Sequence, residues 1–246
     1  MKYDLLLADA DGTLFDFLAG ERNAVKDVFK RFGLPSDDET VALYSRINES
    51  HWKRFERGET TQAILRVQRF ADFLEALGTQ GDPAAMSEAY VDLLGQQRIL
   101  LPGAVELCRA VSSKMPIFLV TNGLSRVQRS RFEGCAIAPF LSGFLISEET
   151  GHPKPEPHML LKAMDLRGVD DPRRVVMLGD SVSADIAAAR AAGVDSILFL
   201  DGRMEPAEHG ATWAVSTLAQ AQRLILQGSD PSDPLPFGAK QGKIDE

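Results

Sequence analysis

Two aspartates with one residue between them, in Asp9-Ala10-Asp11-Gly12-Thr13, can divide phosphoryl transfer into complementary jobs. Asp9, at the end of an apolar run, is predicted to be the nucleophile, forming an aspartyl-phosphate that water later breaks. Asp11, on the following turn, is predicted to protonate the leaving oxygen and then deprotonate the hydrolytic water. Gly12 relieves steric restriction there and lets the backbone bend close to a phosphate. A dianionic phosphate would repel Asp9, so positive charge must be supplied. Magnesium is the economical source, because oxygen ligands suit it and it retains waters. Asp9 and Asp180 are the predicted carboxylate ligands, with the Asp11 carbonyl as a further one. Lys154 is predicted to add a second positive charge, and Thr121 a hydroxyl donor, at the transferring oxygens. Asp185, five residues beyond Asp180, is predicted either near the metal as an outer-shell or water-mediated ligand, or as a stabiliser of a helix N-terminus.

These residues are far apart in the chain, and only a particular set of elements can gather them. Leu5 to Ala8 is a continuous apolar run that stops at Asp9, as a buried parallel strand entering a loop would. Ile117 to Val120 stops at Thr121-Asn122-Gly123, Val175 to Leu178 at Gly179-Asp180, and Ser196 to Leu200 at Asp201-Gly202; Phe144 to Ser147 is a weaker run. Helical patterns lie between them at Ala104 to Lys114, Ser125 to Glu133, Glu156 to Met164 and Ala184 to Ala192, the last stopped by Gly193. This alternation predicts an α/β fold with a Rossmann-like, doubly wound parallel sheet. In such sheets the carboxyl ends of the strands border the ligand crevice, where Asp9, Asp11, Thr121 and Asp180 can converge.

The stretch from Asp16 to Leu100 has helical patterns with charged faces and no convincing strand, which predicts an inserted all-helical domain. Its candidate helices are Arg22 to Phe32, Asp38 to Arg57, Thr61 to Leu77 and Pro83 to Gln97, and Pro102-Gly103 marks the return to the sheet. The expected division is therefore 1–15 with 101–228 as the core, 16–100 as the helical domain, and a polar, aperiodic, disordered tail over 229–246.

A chain of 246 residues, 44% hydrophobic, can bury a substantial core. Its net charge of -8 lacks the positive surplus needed to bind a nucleic-acid polymer, so a small phosphorylated metabolite is the expected partner. The N-terminal apolar run is too short for a signal peptide and no segment approaches a membrane span, which places the protein in the cytoplasm. Cys108 and Cys135 sit in apolar segments and read as buried, reduced thiols. His51, His152, His158 and His209 lack metal-ligand spacing and read as solvated or capping. Arg126, Arg129 and Arg131 read as a solvated helix face. A calcium loop is excluded at Asp9, because it would need its glycine at the sixth position and Gly12 is the fourth residue.

The four separated segments resemble those of the haloacid dehalogenase (HAD) superfamily, in the family's order. Asp9-Ala10-Asp11-Gly12-Thr13 resembles its nucleophile motif and Thr121-Asn122 its phosphate-binding motif. Lys154-Pro155 resembles the lysine motif, and Gly179-Asp180-Ser181-Val182-Ser183-Ala184-Asp185 the metal motif. The resemblance implies magnesium, an aspartyl-phosphate intermediate, phosphate contacts from Thr121, Asn122 and Lys154, and a helical cap inserted after the first motif.

Substrate choice should live largely in that cap. His51-Trp52-Lys53-Arg54-Phe55-Glu56-Arg57-Gly58, Arg69-Phe70, Asp9 through Phe17, and Ser147-Glu148-Glu149 resemble the pyrimidine 5′-nucleotidase subgroup. That likeness implies hydrolysis of nucleoside 5′-monophosphates. Trp52 and Phe55, or Phe15 and Phe17, could stack on a base, although aromatics at helical spacing also suit a core. A sugar-phosphate or phosphoglycolate phosphatase would use the same core residues; a phosphomutase, a carbon–halogen hydrolase and a non-catalytic binding protein are further alternatives.

Overall fold

The computed structural model describes residues 2–227, and the tail expected over 229–246 lies outside them. Six parallel strands form one sheet: β1 (Leu5–Ala8), β2 (Ile117–Thr121), β3 (Gly143–Ile146), β4 (Val175–Gly179), β5 (Asp195–Phe199) and β6 (Trp213–Val215). Their spatial order is β3-β2-β1-β4-β5-β6. The direction of winding reverses between β1 and β4, which places the crevice of a doubly wound sheet at the ends of these two strands. Ala8 pairs with Leu178 across that junction, and the Asp9 N–H donates to the Leu178 carbonyl at 2.9 Å.

Alternate side chains of each strand enter different layers. Leu6 and Ala8 pack with residues of α5 (Ala104–Ser112) and α10 (Leu218–Gln227), whereas Leu5 and Leu7 pack with α8 (His158–Arg167) and α9 (Ala187–Ala192). Burial on both faces explains why these strands read as unbroken apolar runs. Each leucine so buried stabilises the fold by about 1.5–3 kcal/mol relative to exposure.

Between β1 and α5 the chain forms the helical cap, with α1 (Phe17–Arg31), α2 (Asp38–Glu56), α3 (Gln62–Leu77) and α4 (Pro83–Gly95). Local signals set the helix starts: Asp37 caps Thr40 N at 2.9 Å, and Asp82 caps Ala84 N at 3.0 Å just ahead of Pro83. α1 begins earlier than the predicted Arg22 because the Asp16 carboxylate accepts from Ala19 N at 3.0 Å. The cap has its own core, including Phe29 stacked on Phe73 at 4.6 Å. The chain leaves and re-enters the sheet domain side by side: Asp16 N donates to Ile99 O and Leu101 N to Leu14 O, each at 2.9 Å.

Three elements near the end differ from expectation. β6 and α10 follow β5, and neither was predicted. The expected helix Ala184–Ala192 is instead a π-helical turn, Val182–Ile186, followed by α9. The remaining helices are α6 (Ser125–Gly134) and the single turn α7 (Ser147–Thr150). No helix of the described residues is long and apolar enough to cross a membrane.

Candidate active site

The loops at the strand ends bring the predicted residues to one cavity of about 390 Å³ between sheet and cap. Asp9, Asp11, Thr121, Asn122, Lys154 and Asp180 line its floor, with Asp185 beside them. Lys154 is 1% exposed and is the hub of this floor. Its Nζ donates to Asp9 Oδ1 at 2.6 Å, to Asp185 Oδ1 at 2.6 Å and to the Val120 carbonyl at 2.7 Å. All three donors of the ammonium are thereby used. Its backbone is fixed as well: Asn122 accepts from Lys154 N and donates to Lys154 O, both at 2.8 Å. The side chain of Asn122 therefore bonds to the lysine backbone while lining the cavity.

Carboxylate oxygens of Asp9, Asp180 and Asp185 lie within 4.8 Å of one another. Burial pushes the Asp9 carboxyl well above the usual carboxylate range, with Asp185 and Asp180 adding to the effect and Lys154 opposing it. Burial and Asp185 likewise push Asp180 up to about 6, against Arg203 and Lys154. Burial works against the charge on Lys154, but Asp185 and Asp9 outweigh it and hold the ammonium above its ordinary range. Three close-packed carboxylates, Asp9 and Asp185 buried and Asp180 half-buried, form a donor set suited to a hard divalent cation. Asp185 is committed on both oxygens, since Oδ1 takes Lys154 and Oδ2 accepts Ser181 N at 3.0 Å.

Two glycines make this crowding possible. A Cβ on Gly12, at φ +79°, would lie 2.7 Å from Asp180 Oδ2, and a Cβ on Gly179 would lie 2.3 Å from the Asp185 carboxyl carbon. Thr121 is buried; its Oγ1 accepts Gly123 N at 3.0 Å, which leaves its O–H to donate elsewhere.

Asp11 is turned towards α6. Gln128 Nε2 donates to its Oδ2 at 2.6 Å, and Arg131 Nη1 pairs with its Oδ1. The reading of Arg131 as solvated is corrected: it is 1% exposed, because it lies between Asp11 and the cap rather than in water. Arg126 and Arg129 are exposed and pair with acidic neighbours. His51 is also buried, against Asp72 at 2.8 Å.

The cap supplies the roof. Of the four aromatic candidates, Trp52 and Phe17 line the cavity, whereas Phe15 and Phe55 are buried. The roof also holds Glu21, Ser45 and Asn48, none of which the sequence singled out. Glu21 accepts from Asn48 at 2.6 Å and from Ser45 at 2.7 Å, and burial raises its carboxyl. Glu56 of α2 reaches the core, accepting from Ser183, and Gln62 of α3 donates to the Asn122 carbonyl at 2.7 Å. Isolated polar residues on amphipathic helices gave no signal for these roles; only their meeting in space does.

A family model for haloacid dehalogenase-like hydrolases matches residues 3–193. The pyrimidine 5′-nucleotidase YjjG of Escherichia coli is 30% identical over 228 residues, covering 92% of this chain and 100% of that protein. The pyrimidine 5′-nucleotidase PynA of Streptococcus pneumoniae is 28% identical over 206 residues, covering 83% and 87%. Among solved structures, the HAD-hydrolase YfnB of Bacillus subtilis, determined bound to magnesium, superposes with a TM-score of 0.84 at 27% identity, covering 92% of this chain and 99% of that one. A buried lysine–carboxylate floor at the winding reversal of a parallel sheet, roofed by an inserted helical cap, thus accompanies a family match over most of the sequence, and the chain belongs to the haloacid dehalogenase-like hydrolases as one of their phosphatases.

Proposed function

We propose that this phosphatase is magnesium-dependent and hydrolyses pyrimidine nucleoside 5′-monophosphates to nucleoside and phosphate through an aspartyl-phosphate on Asp9. The observation that carries the reading is the pairing of the Asp9–Lys154–Asp180–Asp185 floor with a roof that offers flat apolar surface and three glutamates, Glu21, Glu49 and Glu56, against one cation, Arg46. Magnesium would be held by the Asp9 and Asp180 carboxylates and the Asp11 carbonyl, with Asp185 acting from the outer side because its oxygens are already engaged. When bound, the ion neutralises phosphate charge and polarises a phosphoryl oxygen.

The residues divide the remaining work. Asp9 Oδ attacks phosphorus as the bond to the leaving oxygen breaks, and Asp11 gives that oxygen its proton. After the nucleoside departs, water attacks the phosphorus of the aspartyl-phosphate and passes its proton to Asp11, while the bond to Asp9 breaks and frees phosphate. Lys154 holds Asp9 in line and offsets charge. Thr121 has an O–H free for a phosphoryl oxygen, and Asn122 fixes the lysine that bounds the phosphate site.

The roof weighs against substrates that carry a second anionic group besides the transferring phosphate. Phosphoglycolate, or a sugar with a second phosphate, would place its extra negative charge against Glu21, Glu49 and Glu56, with Arg46 as the cation among these roof residues. A nucleoside is neutral, bears N–H and O–H donors, and has a ring to lie against Trp52 or Phe17. A phosphate-release screen with magnesium tests this choice across nucleoside monophosphates, sugar phosphates and phosphoglycolate. The reading predicts strong preference for dUMP or dTMP; preference for a sugar phosphate or phosphoglycolate overturns it.

A further inference from the structure

Helix α6 spends two buried polar side chains on a single carboxylate of the floor. Gln128 is 0% exposed, and its Nε2 lies 2.6 Å from Asp11 Oδ2. Its Oε1 has no hydrogen-bond partner among the described residues. A buried glutamine serving only its surroundings would satisfy both ends of its amide; this one leaves its acceptor orphaned and commits its donor to Asp11. One turn further along the same face, Arg131 gives Nη1 to Asp11 Oδ1 and Nε to the Leu94 carbonyl of the cap at 3.3 Å. Its guanidinium also sits 5.5 Å from the ring of Phe15. The loop after β2 is shaped to admit this arrangement, since a Cβ on Gly123 would lie 2.1 Å from Gln128 Nε2.

We propose that Gln128 and Arg131 are positioning residues for Asp11, fixing the direction in which it delivers a proton to the leaving oxygen, with Arg131 tying that direction to the cap through Leu94. The proposal rests on the acid role assigned to Asp11 above. A carboxyl on a turn has free side-chain torsions, and a general acid contributes only when held within hydrogen-bond reach of the atom it protonates. Two clamps on its two oxygens remove that freedom.

Leaving groups that differ in their need for a proton separate this from a structural role. The value of kcat/KM includes every step through departure of the leaving group, so it reads proton delivery in the first half-reaction. It is measured for a nucleoside monophosphate, whose alkoxide needs a proton, and for p-nitrophenyl phosphate, whose nitrophenolate departs without one. If the nucleotide is not turned over, the best alkyl phosphate of the screen takes its place. Gln128→Met, which keeps length and removes the amide, is expected to lose about 10-fold on the alkyl ester and less than about 3-fold on the aryl ester. Arg131→Met is expected to show the same split, larger, where it folds; Gln128→Met decides the matter where it does not. Equal losses on both esters, or no loss on either, overturn the proposal. Asp11→Asn is the reference: if it fails to split the two esters, the acid role falls and the clamp with it, whereas a split by Asp11→Asn without one by Gln128→Met refutes the clamp alone.

Discussion

Lys154 and the three carboxylates around it set the electrostatics of the site at the scale of single residues. Burial, Asp180 and Asp185 raise Asp9, and burial with Asp185 moves Asp180 from 3.8 to about 6. The folded chain without metal therefore binds protons that the unfolded chain has already released. Its stability from Asp180 is greatest below 3.8 and declines as pH rises through about 6, because the native state is then left with a half-buried charge beside Asp185. A divalent cation needs the deprotonated carboxylates and so works with rising pH. Thermal melts should show a larger magnesium-induced rise in Tm at about pH 7.5 than at about pH 5, following the proton that Asp180 loses at about 6. Equal rises at both pH values would contradict the assignment of this cluster as the cation site.

The elements matter because they fix how closely those residues approach. Gly179 closes β4, and the Asp185 carboxyl lies where its Cβ would be. Gly179→Ala is predicted to leave the strand paired but to displace Asp185, weakening magnesium affinity by about 10-fold or more in titration calorimetry, since losing an outer partner of a metal site costs 10–100-fold. Unchanged affinity would show that Asp185 need not sit there. Much of this level was legible in the sequence. β1, β2 and β4 are apolar runs broken by Asp9, Thr121 and the Gly179-Asp180 pair, because both faces of the sheet are covered. β6, three residues long, has no period to detect, whereas α10 has a helical one in Leu218, Ala221, Leu224 and Ile225. α6 misled for a different reason. Its buried stripe is Val127, Gln128, Arg131 and Phe132, so the period is present but half the stripe is polar. What buries Arg131 is Asp11 and the Leu94 carbonyl, partners from distant parts of the chain. Glu21, Ser45 and Asn48 were hidden likewise, since α1 and α2 meet only in the folded cap.

At the scale of the molecule, the cap and the core share one cavity. Glu56 on Ser183, Gln62 on the Asn122 carbonyl and Arg131 on the Leu94 carbonyl join the two layers around the site. Trp52 lines the cavity from α2 and its indole stands edge-on to Phe55 of the same helix, so Trp52→Ala should act on binding. Base stacking on an aromatic ring contributes roughly 1–3 kcal/mol, which predicts that KM for a nucleotide rises about 5- to 150-fold while kcat changes little. A sugar phosphate lacking a base should be nearly insensitive, and equal effects on both substrates would remove Trp52 from base recognition. The central claim is that Asp9 carries the phosphoryl group. The measurement is an acid quench within the first turnover of a radiolabelled nucleoside monophosphate with magnesium, followed by peptide mapping. The account predicts a hydroxylamine-labile label on the peptide containing Asp9, absent from Asp9→Asn together with a loss of turnover of at least about 1,000-fold. A label on another residue, or full turnover by Asp9→Asn, would contradict it.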